Sequence, residues 1–484
     1  MLQGNRRTGI KTINGHHNLD GGDCGESLKL FSGRSCGEVS MSLSFNRRPS
    51  NHTATLLLGW VGLRFLASKT DAMKAYQPTL ADLRQIVSGD YAAFRFNAEL
   101  RPVGGDGEKI FPPTYSNDKR SDKYCKERRV VDGRESETVL LDSVQSQANR
   151  MEAALQVLYD CDRLDIPMVQ VLFPEDLASI GRVTVLQAPH RLADAILRDS
   201  LVNEGERQVK WRDSAAGRRF INSNMADARG VLSLAPTALL FGMWDSTGGA
   251  GSGGNKFARA LVSEIVGFGA RVGVKPQSRL DPLQIEKSAG PLYEHPTDSW
   301  TLNPAEAVQD NGEPKKLKTG DGSEGGPSAV NHGNIVPSID SEAGGVSVDY
   351  AKQTSVLSLT RLRMIRFGTA PEEAQQEARA YLAALGLVSL SAQQSNGYWL
   401  RSRCELVPTA EKPVTLELVK ADGSVEQLGK LLLDDVLSLV SSAAQSLRTH
   451  GLLPPDGQDV VDLKPTPKLV TLVQRSRGMN PQAA

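Results

Sequence analysis

Residues 238–268 read ALLFGMWDSTGGAGSGGNKFARALVSEIVGF. The opening segment 238–243 is apolar and short, the composition of a buried strand. Seven residues made almost entirely of glycine follow at 248–254. Phe257, Leu261, Ile265 and Phe268 then recur at helical spacing. Strand, glycine loop and helix is the order of a phosphate loop, so this stretch decides between a doubly wound nucleotide-binding sheet and another arrangement. A phosphate loop needs Gly-Lys-Ser/Thr, because the lysine and hydroxyl must reach the terminal phosphates and Mg²⁺. Here Asn255 separates Gly254 from Lys256, and Phe257 stands where the hydroxyl should be. Nucleotide hydrolysis is not supported. What survives is an anion site: bare backbone amides ahead of an expected helix, with Lys256 and Arg259 beside them.

Working outward, no regular strand–helix–strand series with a GxGxxG turn is present, so an α+β fold is expected. Residues 94–100 (FRFNAEL) alternate and read as a strand. Residues 117–134 carry seven Lys/Arg and four Asp/Glu and read as a mixed basic loop. The spacing of Leu140, Val144, Ala148, Met151, Leu155 and Leu158 predicts a helix over 139–159, with Asp142 and Gln145 as candidate caps. Its polar face holds Gln145, Ser146, Asn149 and Arg150, donors that suit sugar and phosphate oxygens but also an ordinary solvated face. Short strands are expected at 169–172 and 183–186. Pro189 then marks a helix start with Arg191 and Arg198 on its outer side. Residues 303–346 read as a long exposed insertion, 355–367 and 414–419 as strands, and 371–385 and 431–447 as helices. No fixed-period repeat is present.

The chain has 484 residues, with 56 Lys+Arg against 56 Asp+Glu, so no global positive field marks a nucleic-acid binder. Aromatics at 5% argue against a protein built mainly from base-stacking platforms. The five cysteines Cys24, Cys36, Cys125, Cys161 and Cys404 form no CxxC pair, so a reducing, cytoplasmic setting is expected and no zinc site. His16 and His17 with Cys24 and Cys36 fit no trusted zinc spacing. His190, His295 and His332 are isolated, and no acid/base couple stands out. Cofactors are not expected, and the residues alone point to a non-catalytic protein with local basic and polar patches. Residues 1–72 differ in composition, with nine Lys/Arg against five Asp/Glu. They are expected to be a disordered or spurious extension ahead of a natural start at Met73. The apolar run at 54–67 is too short to span a bilayer and is interrupted by Arg64, so no membrane association is expected.

Four blocks go further: LLDSVQSQANRMEAAL (140–155), VTVLQAPHRLADAILRDS (183–200), PTALLFGMWDSTGGAGSGGNKFARALVSEIVG (236–267) and VGVKPQSRLDPLQI (272–285). Together they closely resemble the type I-G (formerly I-U) member of the Cas-seven backbone subunits of CRISPR Cascade. PSAVNHGNIVPS (327–338) and SLTRLRMIRF (358–367) extend the resemblance, which covers roughly 91–452.

The resemblance implies an RRM-like (ferredoxin-like) RAMP palm with long finger and thumb insertions. The implied division is palm core at 73–302 and 349–452, a thumb-like glycine- and proline-rich insertion at 303–348, and a C-terminal tail at 453–484. Copies would stack head to tail on a CRISPR RNA, which would pair with target DNA beside other Cascade subunits and a recruited helicase-nuclease. Such a subunit must accept any spacer, so it should hold phosphates and 2′-hydroxyls and leave sequence to base pairing. The RNA-contact candidates are Gln145, Ser146, Asn149, Arg150, Arg191, Trp244, Ser246, Thr247, Lys256, Arg259, Ser278, Arg279, Asn331, His332 and Asn334. Two rival readings stand beside this one. One is a guide-directed ribonuclease like the backbone subunits of type III complexes, with Asp245 or Asp281 as the catalytic aspartate. The other is an unrelated scaffold or metabolic enzyme with the same α+β pattern.

Overall fold

The structure is a computed structural model, and it describes residues 75–115, 123–246, 255–318, 324–412 and 414–478. The readings on 1–72, on Thr247 and on the glycine loop 248–254 lie outside the described residues.

Five antiparallel strands of one sheet and two long helices make the core. β1 (Tyr91–Pro102) alternates Phe94, Phe96, Ala98 and Leu100 on one face with Arg95, Asn97, Glu99 and Arg101 on the other. The first set is buried, so the FRFNAEL reading holds and extends at both ends. β2 (Arg134–Asp142) follows, and α1 (Val144–Asp160) packs over the sheet. β3 (Leu261–Phe268) and β4 (Tyr350–Ser358) pair antiparallel, α2 (Glu372–Ser395) crosses back, and β5 (Thr415–Lys420) ends the series. In space the order is β5, β1, β4, β3, β2, with every neighbour antiparallel. Lys126–Val131 extends the sheet beyond β2, and the hairpin Tyr398–Arg401 and Cys404–Pro408 extends it beyond the far end of β1.

Five sequence expectations are corrected here. The segment 238–243 is not a strand: Thr237–Phe241 is a helical turn, and a strand covers Met243–Asp245. The segment 257–268 is not a helix: Asn255–Phe257 and Leu261–Phe268 are strands, because Leu261, Ser263 and Ile265 bury at period two and the β-branched Val262, Ile265 and Val266 fit a pleated surface. The helix expected from 139 begins only at Val144, capped by Ser143, whose side chain accepts from the Ser146 amide. Val139 to Asp142 instead belong to β2. Likewise 355–367 divides into the end of β4 and a helix at Leu359–Met364, and the basic segment 117–134 supplies the strand Lys126–Val131.

Nearly all of α2 is buried, against the sheet, α1 and the helix Leu433–Thr449, and its middle from Ala380 to Leu390 is almost wholly apolar. Gly386 marks its closest approach: a Cβ there would lie 2.8 Å from Leu357 Cδ2 on β4. No helix among the described residues is long and apolar enough to cross a membrane. Between the sheet and the two helices runs a buried polar layer. Gln353 Nε2 donates to Gln147 Oε1 at 2.9 Å and Gln393 Oε1 at 2.8 Å, and Ser263 Oγ donates to Gln147 Oε1 at 2.9 Å. Such a layer fixes the register of α1 and α2 on the strands, since a one-residue slip would orphan every member.

A second sheet has five strands in the order Arg182–Thr184, Met168–Leu172, Val460–Pro465, Ser200–Glu204, Arg207–Lys210. Its central strand comes from the segment read as a C-terminal tail. It runs parallel to Met168–Leu172 and antiparallel to Ser200–Glu204. In the region 303–348 regular structure is sparse. Ile335–Asp340 pairs with Lys275–Arg279 to make a two-stranded arm.

Candidate nucleic-acid interface

The outer face of the main sheet is the first place to look, since the helices cover the other. Three of its cations are already matched to carboxylates. Arg95 Nε donates to Glu417 at 2.5 Å, Arg129 Nη1 to Glu264 at 2.6 Å, and Lys412 Nζ to Glu99 at 2.7 Å. A face whose cations are paired with carboxylates holds no net attraction for a phosphate chain.

The candidates fall instead into three places. The first is the hairpin of Met243–Asp245 with Asn255–Phe257, which carries the glycine loop at its tip. No helix follows the loop, so the helix-terminus argument for an anion fails. Trp244 and Lys256 are register partners on this hairpin. The Trp244 ring is 59% exposed, with Lys256 Nζ 5.8 Å from its centroid. Ser246 is exposed beside them. Asp245 is buried, and its carboxylate accepts from Arg212 at 2.8 Å. Arg259 is exposed and packs on Gly242, whose φ of +80° and close approach to Arg259 and Phe257 exclude a side chain. Partial burial and the neighbouring Arg191 guanidinium hold the Arg259 pKa below its usual value.

Arg191 does not lie on an outer surface. The chain turns there with φ +53°, which sends the side chain inward. Its Nε and Nη2 fork onto Glu152 of α1 at 2.6 and 2.7 Å, and Nη1 donates to the Gly242 carbonyl at 2.8 Å. Burial pushes the Glu152 carboxyl up to about 7, against the opposing pull of Arg191 and Arg259. Arg191 is a tie beneath the hairpin and has no surface to offer RNA.

The second place is α1. Gln145 and Asn149 are exposed. Ser146 and Arg150 are engaged internally: both donate to Asp142, and Arg150 Nη2 also donates to the Leu400 carbonyl at 2.5 Å. Asp142 is completely buried and also accepts from Gln147 and Arg401.

The third is the two-stranded arm, which brings together two candidate groups far apart in sequence. Arg279 donates twice to the Gly333 carbonyl, at 3.1 and 2.7 Å, and Asn334 Oδ1 accepts from the Asp281 amide at 2.7 Å. Asp281 accepts from the Gly333 amide at 2.6 Å, and that bond with the Leu283 amide holds its carboxyl below the usual range. Asn331 takes a left-handed turn at φ +60°, Ser278 is exposed, and His332 is half-buried. Sequence reasoning missed what flanks this cluster: Leu280, Leu283, Val336 and Ile339 are 87%, 70%, 73% and 73% exposed. Among the described residues, Asp165, Asp456 and Asp459 bring three carboxylates within 4.8 Å. Arg448 bonds all three, so the cluster is an ion-pair hub.

Comparison with known proteins adds one finding of weight. A family described as CRISPR-associated protein GSU0053 matches residues 94–272, a span that holds the first three sequence blocks quoted above and the Trp244–Lys256 hairpin. No curated protein matches. Among solved structures, the crystal structure of Csc2 from Thermofilum pendens aligns over 78% of this chain and 81% of that one. The identity is 10% and the TM-score 0.24, a likeness too slight to carry an argument. Over 94–272 the chain is therefore similar to a CRISPR-associated family.

Proposed function

We propose that this chain is a Cas-seven-type backbone subunit of a type I-G Cascade that grips CRISPR RNA by its sugar–phosphate chain. The family match over 94–272 carries this reading. The order β5–β1–β4–β3 with α1 and α2 on one face supports the reading of a ferredoxin-like RAMP palm. In this reading the exposed Trp244, Ser246, Lys256 and Arg259 contact the strand, joined by Gln145 and Asn149 on α1 and by Ser278, Asn331 and His332 on the arm. Copies line up head to tail, a heterologous contact that does not close into a ring, so the RNA sets filament length. The assembly pairs its guide with target DNA and recruits a helicase-nuclease. The chain itself is not a nuclease: the engagement of Asp245 with Arg212 and of Asp281 with backbone amides favours structural roles for both.

The test is purification from cells that express a CRISPR array and the neighbouring complex subunits. RNA of repeat–spacer sequence should copurify with several copies of the chain per strand. Recovery of unenriched bulk RNA would contradict the reading, and so would cleavage of complementary target RNA at even intervals when the purified assembly is given Mg²⁺, if that cleavage is lost in Asp245→Ala.

Two substitutions probe the hairpin. Trp244→Ala should weaken single-stranded RNA binding by about 1–3 kcal/mol, the worth of one base stacked on an aromatic ring. Lys256→Ala should lower the slope of log affinity against log salt by about one, the loss of one phosphate contact. Both losses should be equal for unrelated RNA sequences. Filter binding across a salt series measures them.

A further inference from the structure

A cavity of about 850 Å³ lies apart from every candidate contact named so far. One wall is the helix Ala215–Asn222 and the turn after it, and the other is the loop that follows the helix Leu433–Thr449. Its polar lining includes Arg218, Arg219, Asn222, Arg229, Arg448 and Gln458, with Leu452 and Leu453 giving an apolar floor. Four guanidiniums around one recess is a costly arrangement unless something compensates them. Two are compensated. Arg229 forks onto Asp227, at 2.8 and 2.6 Å, and Arg448 is held by Asp165, Asp456 and Asp459. Arg218 and Arg219 have no ion pair among the described residues. They are adjacent on one helix and open to the cavity.

The two ends of the recess therefore differ. One offers a pair of uncompensated guanidiniums with an amide from Asn222 nearby. The other offers a saturated arginine, a glutamine amide and apolar surface. Guanidiniums present fixed forks of donors that match the oxygens of a phosphate. The volume is that of a site for a small organic ligand and exceeds what a lone anion needs. We infer that the cavity binds the phosphate of a nucleotide, with Arg218 and Arg219 as its ligands and the base and sugar lying toward Leu452, Leu453 and Gln458. The phosphate comes from a free mononucleotide or from the phosphorylated end of a strand.

The experiment uses the full chain freed of nucleic acid, titrated with AMP and with a short RNA carrying either a 5′-phosphate or a 5′-hydroxyl. The double variant Arg218→Ala, Arg219→Ala is compared. Both positions are exposed and alanine suits a helix, so its melting curve should match the parent's. Binding of AMP that falls more than about tenfold in the variant supports the inference and identifies a free nucleotide. Failure of AMP, with the phosphorylated RNA preferred more than about tenfold over the hydroxyl form and the preference lost in the variant, supports it and identifies a strand end. Equal binding by parent and variant overturns it. So does silence of all three ligands, or capture of an oligoglutamate peptide in their place, which would make the recess a docking groove for an acidic protein segment. Asn222→Ala gives a second variant, expected to weaken the same ligand by a smaller factor.

Discussion

Asp142→Ala is expected to lower the unfolding free energy by about 3–5 kcal/mol, the range for removing one partner of a buried charge network. The carboxylate is fully buried at the end of β2 and accepts from Ser146, Gln147, Arg150 and Arg401. Alanine leaves two guanidiniums, both less than a third exposed, facing a void of the wrong polarity. It also frees the Gln147 amide that anchors the polar layer under β3 and β4. Asp142→Asn keeps one acceptor oxygen and the shape, and should cost clearly less. Urea midpoints with unchanged slope measure both. An RNA affinity unchanged in the folded variant, beside a large stability loss, would confirm that Ser146 and Arg150 serve this hub. A loss of affinity with full stability would mean Arg150 reaches the strand after all.

Arg191→Ala is expected to cost a similar 3–5 kcal/mol at neutral pH, because Glu152 is left buried without its bidentate partner. The pH dependence carries the sign. The folded Glu152 carboxyl titrates near 7, above its unfolded value, so this group favours folding fully below the unfolded pKa. That contribution is lost as pH rises through about 7. Removing Arg191 leaves less to oppose burial, so the deficit of the variant should shrink as pH falls from 8 toward 6 and Glu152 takes up its proton. Adding Glu152→Gln should recover much of the loss at pH 8. A deficit flat across that range would show that Glu152 stays ionised and that the cost lies elsewhere, for example in the Gly242 contact.

These two residues also show what was legible in the sequence. β1 was readable because its inner face is apolar and its outer face polar, a pattern of period two. The helices at 433–449 and the body of α1 were readable from their stripes. β3 was misread because Phe257, Leu261, Ile265 and Phe268 satisfy a helical period, while Phe257, Leu261, Ser263 and Ile265 also satisfy the strand period across two strands. Position in the sheet decides between them, and Ser263 is buried only because Gln147 and Gln353 wait beneath it. Arg191 was misplaced because the helix expected after Pro189 is a turn with a left-handed residue, and the residue that calls it inward, Glu152, lies 39 positions earlier. Val460–Pro465 looked like a tail because its partner Met168–Leu172 is almost three hundred residues away, and local spacing carries no trace of so distant a pairing. The fold brings Trp244 and Lys256 together as register partners of a hairpin, and the helix terminus expected after the glycine loop is replaced by a strand.

The most direct test of the central claim is the affinity of the nuclease-treated chain for several single-stranded RNAs of unrelated sequence, and for one matched DNA, across a salt series. The account predicts dissociation constants within about threefold of one another for all the RNAs, parallel salt slopes, and weaker binding to the DNA that lacks 2′-hydroxyls. Strong preference for one RNA sequence, or no measurable RNA binding at low salt, would contradict it.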